Sequence, residues 1–137
     1  MKFVIDTNIL LISLPRHSKY RAIFDALLAG KYILAISESI LQEYIEIIGN
    51  KTTAQIATNI AELLIHLPNV ERTQIYVNWN LITSDIDDNK FVDCAISSNA
   101  LYIITNDVHF NELKLSAFPL VNTMKADEFL TYLSQLH

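Results

Sequence analysis

Phe3-Val4-Ile5-Asp6-Thr7-Asn8 and Tyr102-Ile103-Ile104-Thr105-Asn106-Asp107 set the fold of this chain. Each begins as a short apolar run, the composition of a strand buried on both faces, and each runs into a carboxylate. In open parallel sheets, ligands bind in the crevice outside the carboxyl ends of the strands. Asp6 and Asp107 therefore fall on the functional edge, and two such strand ends can share one crevice.

Outward from these stretches, strands and helices alternate, the signature of βα units around a parallel sheet. Residues 2 to 5 are predicted as a buried strand and 18 to 29 as a helix stopped by Gly30. Tyr32 to Ile36 follows as a second strand. A helix begins at Ser37 or Ser39, since either hydroxyl can cap a first turn and Ser39 with Gln42 has capping-box spacing. It ends near Gly49. Residues 52 to 66 carry Ile56, Ile60, Leu63 and Leu64 at helical spacing, so these two helices form a hairpin, suited either to dimerisation or to packing on the sheet. A short strand is expected near Ile75 to Val77, a helix over 88 to 100, a buried strand over 101 to 105, an edge strand over 119 to 122 and a closing helix over 125 to 136. The expected class is α/β.

Helical projection adds two more acids. On the helix starting near residue 37, Ile40, Leu41, Tyr44, Ile45, Ile47 and Ile48 form the buried stripe; at about 100° per residue Glu43 lies on its border, and Glu46 points away. Phe91, Val92, Ala95 and Ile96 likewise point inward, with Asp93 at their border. Two helices thus offer carboxylates from equivalent edges. Two unit charges about 4 Å apart repel by roughly 4 kcal/mol even at an effective dielectric near 20, so a cation or protonation has to relieve such a gathering. Oxygen ligands without a His or Cys cluster favour Mg²⁺ or Mn²⁺ over Zn²⁺. Such ions generate a hydroxide-like water and stabilise a leaving oxygen, which makes phosphodiester hydrolysis the natural chemistry.

Composition agrees. At 137 residues and 51% hydrophobic, the chain suits one domain with a single sizeable core, spanning 1 to 137. A formal charge of −5 argues against holding nucleic acid by general basicity; contact with phosphate must be local or metal-assisted. The single cysteine, Cys94, has no partner for an internal disulfide and fits a reducing cytoplasm. Asp6 interrupts the apolar start, which speaks against a signal peptide, and no apolar run approaches the eighteen or so residues of a membrane span.

Taken together, Val4-Ile5-Asp6-Thr7-Asn8, Ser37 to Glu43-Tyr44, Asp85-Ile86-Asp87-Asp88-Asn89-Lys90-Phe91 leading to Asp93, and Thr105-Asn106-Asp107 resemble the PIN-domain nucleases, most closely their bacterial VapC-like toxin branch. The resemblance covers nearly the whole chain and rests on order and spacing. It implies a three-layer α/β/α sandwich with a mostly parallel central sheet. It further implies Mg²⁺- or Mn²⁺-dependent cleavage of RNA, with Asp6, Glu43, Asp93 and Asp107 as catalytic metal carriers. Asp88 would assist from a helix's first turn, and Asn8 and Thr105 would orient the acids. A partner antitoxin and a homodimer are implied as well. Relatives commonly carry glycine where this chain has Asn106, so a different turn is expected, Asn being tolerant of positive φ.

Blander readings compete residue by residue. Asp6 and Asp107 could cap helices, and Asp87 and Asp88 could compensate a helix dipole. An EF-hand from Asp85 onward fails, because its sixth position is Lys90 rather than Gly and its twelfth Ile96 rather than Glu. His17, His66, His109 and His137 have no metal-ligand spacing and receive no catalytic part. Trp79 and Tyr76 could stack on bases, but core packing is preferred. Arg16, His17, Lys19 and Arg21 form a local basic cluster that suits either a solvated helix start or an RNA or antitoxin contact. The alternative functions are a non-catalytic PIN-like metal- or RNA-binding module and an aspartyl phosphatase, the latter weakened because its second Asp would here be Asn8.

Overall fold

Phe3, Val4 and Ile5 are all completely shielded from solvent. Successive strand residues point to opposite faces, so both faces of this strand are covered. In the computed structural model, which describes residues 1–115 and 119–136, that strand is β1 (Lys2–Ile5), the centre of a five-stranded sheet. The others are β2 (Ile33–Ile36), β3 (Val70–Arg72), β4 (Tyr102–Ile104) and β5 (Thr123–Met124). Their order is β3-β2-β1-β4-β5, with every pairing parallel. The helices are α1 (Thr7–Ser13), α2 (Arg21–Leu28), α3 (Glu38–Lys51), α4 (Ala54–His66), α5 (Asn89–Ser98) and α6 (Ala126–Ser134). This is the expected α/β class, a parallel sheet between helical layers.

Strand order reverses at β1, whose neighbours are β2 on one side and β4 on the other. The crevice of an open α/β sheet opens at such a reversal, beyond the carboxyl ends of the two strands. Ile5 is paired with Ile104, and the Asp6 amide donates to the Ile104 carbonyl at 3.0 Å. Both acid-bearing strand ends are thereby locked side by side.

α5 packs against β1, β2 and β4, while α2 and α6 pack on each other. Aromatic rings cluster within the core. Phe3 meets the rings of Tyr32 at 5.8 Å, Phe129 at 4.9 Å and Tyr132 at 5.4 Å between centroids. Such rings bury large apolar areas, with additional gain from edge and tilted geometry. Replacing Phe129 by Ala is expected to destabilise the fold by about 3–5 kcal/mol, the range for emptying an aromatic site in a packed core. Urea unfolding of the variant checks this; a cost below about 1 kcal/mol would mean that α6 is dispensable to the core.

Helix starts follow local chemistry. Ser37, rather than Ser39, caps α3 by accepting the Ile40 amide at 3.2 Å, and Thr53 caps α4 by accepting from Ile56 at 3.1 Å. Gln42 instead donates to Glu38 at 3.0 Å. α3 and α4 form the anticipated hairpin.

Three expectations need correction. The strand placed near Ile75 to Val77 lies earlier, at Val70–Arg72. This edge strand carries Glu71 and Arg72, which pair with Lys2 at 2.9 Å and Glu38 at 2.6 Å, so it lacks the apolar run that marks interior strands. The edge strand placed over 119 to 122 lies at Thr123–Met124, and residues 116 to 118 before it are outside the described part. No element was anticipated over 7 to 13, where α1 forms. Its Ile9-Leu10-Leu11-Ile12 run shows no polar alternation, because Thr7, Ile9, Leu10 and Ser13 are all buried.

Candidate active site

Asp6 directly follows β1 and occupies the position before α1 from which a side chain normally caps. Its backbone carbonyl accepts from Ile9 and Leu10, while the carboxylate lies near the Asn8 amide without a well-formed capping bond. It turns instead toward β4, where the Thr105 hydroxyl donates to Asp6 Oδ2 at 2.7 Å. The same hydroxyl accepts the Asp107 amide at 3.0 Å. Thr105 thus ties the two strand-end acids to each other, and Asp6, Asn8 and Asp107 line one cavity of about 330 Å³.

Glu43 reaches this edge through its neighbour. Tyr44 is buried and donates its hydroxyl to the Ile5 carbonyl at 2.5 Å, which presses α3 against the end of β1. Thr7 then donates to Glu43 Oε2, and Lys90 contacts Oε1 at 2.8 Å. The sequence alone assigns Lys90 no part; its side chain is 21% exposed and its ammonium faces a carboxylate, a placement that needs the fold to be seen.

Asp88 ends the 3-10 turn Ile86–Asp88 and precedes α5. That turn is held by Asn89, whose Oδ1 accepts the Ile82 amide and whose Nδ2 donates to the Ile82 carbonyl, both at 2.9 Å. Asp88 is buried, and its Oδ2 has no hydrogen-bond partner. Burial lifts its pKa to about 7, with Asp107, Asp85 and Asp6 adding their negative charge. Burial likewise raises Asp6, with Asp107 and Glu43 reinforcing it against the pull of the Thr105 hydroxyl and Asn8 amide. The acids of the crevice therefore feel one another.

Asp93 lies elsewhere. One turn deeper along α5, its carboxylate accepts the Trp79 amide at 3.0 Å and lines a separate cavity of about 300 Å³ with Ser37, Asn78 and Asn80. Its raised pKa reflects burial alone, eased by that amide. The structure brings Asp6, Asp88 and Asp107 together with Glu43 beside them, while Asp93 faces the separate cavity. Helical projection gives the angle of Asp93 around α5 but not which end of the helix meets the crevice.

The sequence alone gives His109 no metal-ligand spacing, yet its Nδ1 stands 3.1 Å from Asp107, 3.7 Å from Asp88 and 3.9 Å from Asp85. The ligand atoms of Asp85, Asp88 and His109 lie within 4.8 Å of one another. The one available signal was the spacing Asp107-Val108-His109 after a strand. Asn106 needs no positive φ, which among described non-glycine residues occurs at Asn80 and Asn99; its side chain accepts the Ala126 amide at 3.0 Å and so starts α6. Tyr76 is 84% exposed, against the core packing expected of it. Cys94 is a core residue whose thiol burial pushes up to about 12.

The donor set suits a divalent cation. Asp88 Oδ2 is buried without a partner among like charges, an arrangement that a bound cation relieves. A pH dependence follows. The folded state binds a proton at Asp88 more tightly than the unfolded chain does, so without metal stability falls as pH rises from about 4 to about 7. Melting in EDTA should be higher at pH 5.5 than at pH 8. Divalent ion should reverse the order, since it requires the deprotonated acids. A flat profile in EDTA would mean that Asp88 is solvated.

A model of the PIN domain matches residues 2–109, from β1 through the turn that carries Asp107 and His109. The chain belongs to the PIN domain family. Its fold is similar to VapBC2 of Rickettsia felis bound to a promoter DNA fragment, with a TM-score of 0.63 at 18% identity over 91% of this chain and 98% of that one. VapBC-1 of nontypeable Haemophilus influenzae gives 0.58 at 19% identity over 93% and 99%. The PIN domain endonuclease Utp24 gives 0.53 at 20% identity over 90% and 84%. No curated protein matches at a significant level.

Proposed function

We propose that the chain is a single-domain, metal-dependent ribonuclease that hydrolyses RNA phosphodiester bonds and serves as the toxin of a toxin–antitoxin pair. The observation that carries this reading is the buried, unpartnered Asp88 Oδ2 facing the acids that follow β1 and β4. Asp6, Asp88 and Asp107 would hold Mg²⁺ or Mn²⁺, with Glu43 completing the set; Asp93 supports the wall behind them. When bound, such an ion supplies an activated water and charge for the leaving oxygen.

The chain's own residues supply position. Thr105 fixes Asp6 through one oxygen and Asp107 through its amide, so neither acid has to be ordered when substrate arrives. Lys90 offsets part of the Glu43 charge. At a net charge of −5 the surface offers no general attraction for phosphate, so the cation has to supply it. Exposed Tyr76, with Asn78 and Asn80 beyond it, gives a face on which single-stranded bases can stack and bond.

One observation favours the toxin branch: both VapBC structures are matched over nearly their full chain. With its sole cysteine buried, the chain suits the reducing cytoplasm, and no helix among the described residues is long and apolar enough to cross a membrane.

The test is incubation of purified protein with a mixed pool of structured RNAs in Mg²⁺ or Mn²⁺, beside EDTA and Asp107→Asn controls. Metal-dependent cutting absent from both controls supports the nuclease. Metal binding without cutting of any RNA would favour a PIN-like interaction module.

A further inference from the structure

His109 sits in the 3-10 segment Val108–Leu115, immediately beyond the acid that follows β4. Its backbone amide donates to Asp107 Oδ1 at 2.9 Å, which folds the ring back over the crevice. Glu112, further along the same segment, accepts the Thr83 and Ser84 amides at 2.8 and 2.9 Å and ties the segment to the chain leading into Asp85. His109 and Asp85 are therefore held face to face by backbone contacts, independently of any attraction between them.

Nδ1 of His109 and Oδ2 of Asp88 are both hidden from solvent and both lack a hydrogen-bond partner. Asp88 as a whole is 9% exposed. Leaving a buried polar atom unsatisfied costs about 1–3 kcal/mol, and more when it is charged. A proton on the ring does not resolve this, and a proton on Asp88, which would let that carboxyl bond Asp107, leaves the ring nitrogen still without a partner. The Asp88 and Asp85 oxygens stand 3.7 and 3.9 Å from Nδ1, beyond hydrogen-bond reach, and Asp107 at 3.1 Å makes no hydrogen bond with it. Separations of roughly 3–4 Å are what two ligands of a common ion show when each bond is about 2.1 Å.

We propose that His109 Nδ1, Asp85 and Asp88 form an outer cation position, sharing Asp88 with the Asp6–Asp107 crevice, and that its nitrogen makes the centre select Mn²⁺ over Mg²⁺. Mg²⁺ takes oxygen ligands and gives up water reluctantly; Mn²⁺ also favours oxygen but, as a first-row ion, takes an imidazole nitrogen more readily than Mg²⁺ and less strongly than the later members of its series. An all-carboxylate crevice would discriminate weakly between the two; one nitrogen donor adds a preference for Mn²⁺. The inference deepens the divalent-ion reading above and rests on it, but is tested without cleavage.

The experiment is a titration of metal-free protein with Mn²⁺, following the loss of the free-ion EPR signal, repeated in competition with Mg²⁺. His109→Asn, Asp85→Asn and Asp107→Asn are measured alongside, with circular dichroism confirming that each is folded. Imidazole nitrogen NMR at substoichiometric Mn²⁺ gives a second readout, with the other three histidines as internal controls. Expected are a Mn²⁺ affinity about tenfold or more above that for Mg²⁺, and a loss of about tenfold in Mn²⁺ affinity alone for His109→Asn, the scale on which a metal's ligand surroundings act. His109 should broaden first. Mn²⁺ binding that survives His109→Asn and Asp85→Asn but is lost in Asp107→Asn would overturn the outer position and leave the proposed nuclease standing. Absence of Mn²⁺ and Mg²⁺ binding in every form would overturn both. Should His109→Asn fail to fold, an unbroadened His109 ring in the unsubstituted protein overturns the inference by itself.

Discussion

Asp6→Asn is expected to lower metal-dependent RNA cleavage by about 10²–10⁴-fold while raising the melting temperature of the metal-free protein. Both directions follow from one carboxylate. Asn keeps an oxygen that can accept the Thr105 hydroxyl, so the link between the ends of β1 and β4 is retained. What is lost is a negative charge that burial, Asp107 and Glu43 make unfavourable in the metal-free fold. Removing it relieves the folded state, hence the higher melting temperature. The same charge is what a divalent ion needs, and polarisation by such an ion contributes several kcal/mol to the transition state, each 1.36 kcal/mol being tenfold in rate. Stabilisation by added Mn²⁺ should shrink in parallel, since an ion at 100 times its Kd adds about 2.7 kcal/mol only while it binds the fold. Calorimetry with and without Mn²⁺, beside a cleavage assay, reads both. A variant that cuts normally would remove Asp6 from the site; one that melts lower without metal would show Asp6 to be a structural acid.

The central strands were legible because a parallel sheet's interior strands are apolar on both faces, and Phe3-Val4-Ile5 and Ile103-Ile104 admit little else. The ends of those strands located Asp6 and Asp107 for the same reason. Edge strands were harder. Val70–Arg72 has one protected face and pairs its charges with Lys2 and Glu38, so its pattern resembles a loop. α1 escaped because a helix buried on most sides loses the periodicity by which helices are recognised. Within the site, sequence placed Glu43 correctly on the border of α3, but periodicity gives the angle around a helix and not which end meets the crevice. That ambiguity separates Asp88 from Asp93. Lys90 carries no local signal and His109 only its spacing two residues after Asp107; their relevance arises from the partners that the fold sets opposite them.

Asp88→Asn and Asp93→Asn should consequently part company. Asp88 has a buried oxygen without a partner and a pKa lifted to about 7 by burial and three acids, so its substitution removes a ligand and the source of the metal-free pH dependence. Cleavage should fall by about 10²–10⁴-fold, as several kcal/mol of transition-state stabilisation are lost, and melting in EDTA should become nearly level between pH 5.5 and pH 8. Asp93 accepts the Trp79 amide, a role that an Asn oxygen fills equally well. Asp93→Asn should therefore keep metal binding and stay within about tenfold of full activity, a change of roughly 1.4 kcal/mol in the barrier. Asp93→Ala is the sharper probe of that wall: it strands the Trp79 amide and should cost about 1–3 kcal/mol of stability, with bound metal partly offsetting the loss. Measuring Mn²⁺ affinity, activity and urea stability on the three variants separates a ligand from a support. If Asp93→Asn abolished metal binding while Asp88→Asn preserved it, the crevice would be closed by the deeper acid of α5, and the outward-facing role given to the turn before that helix would fall.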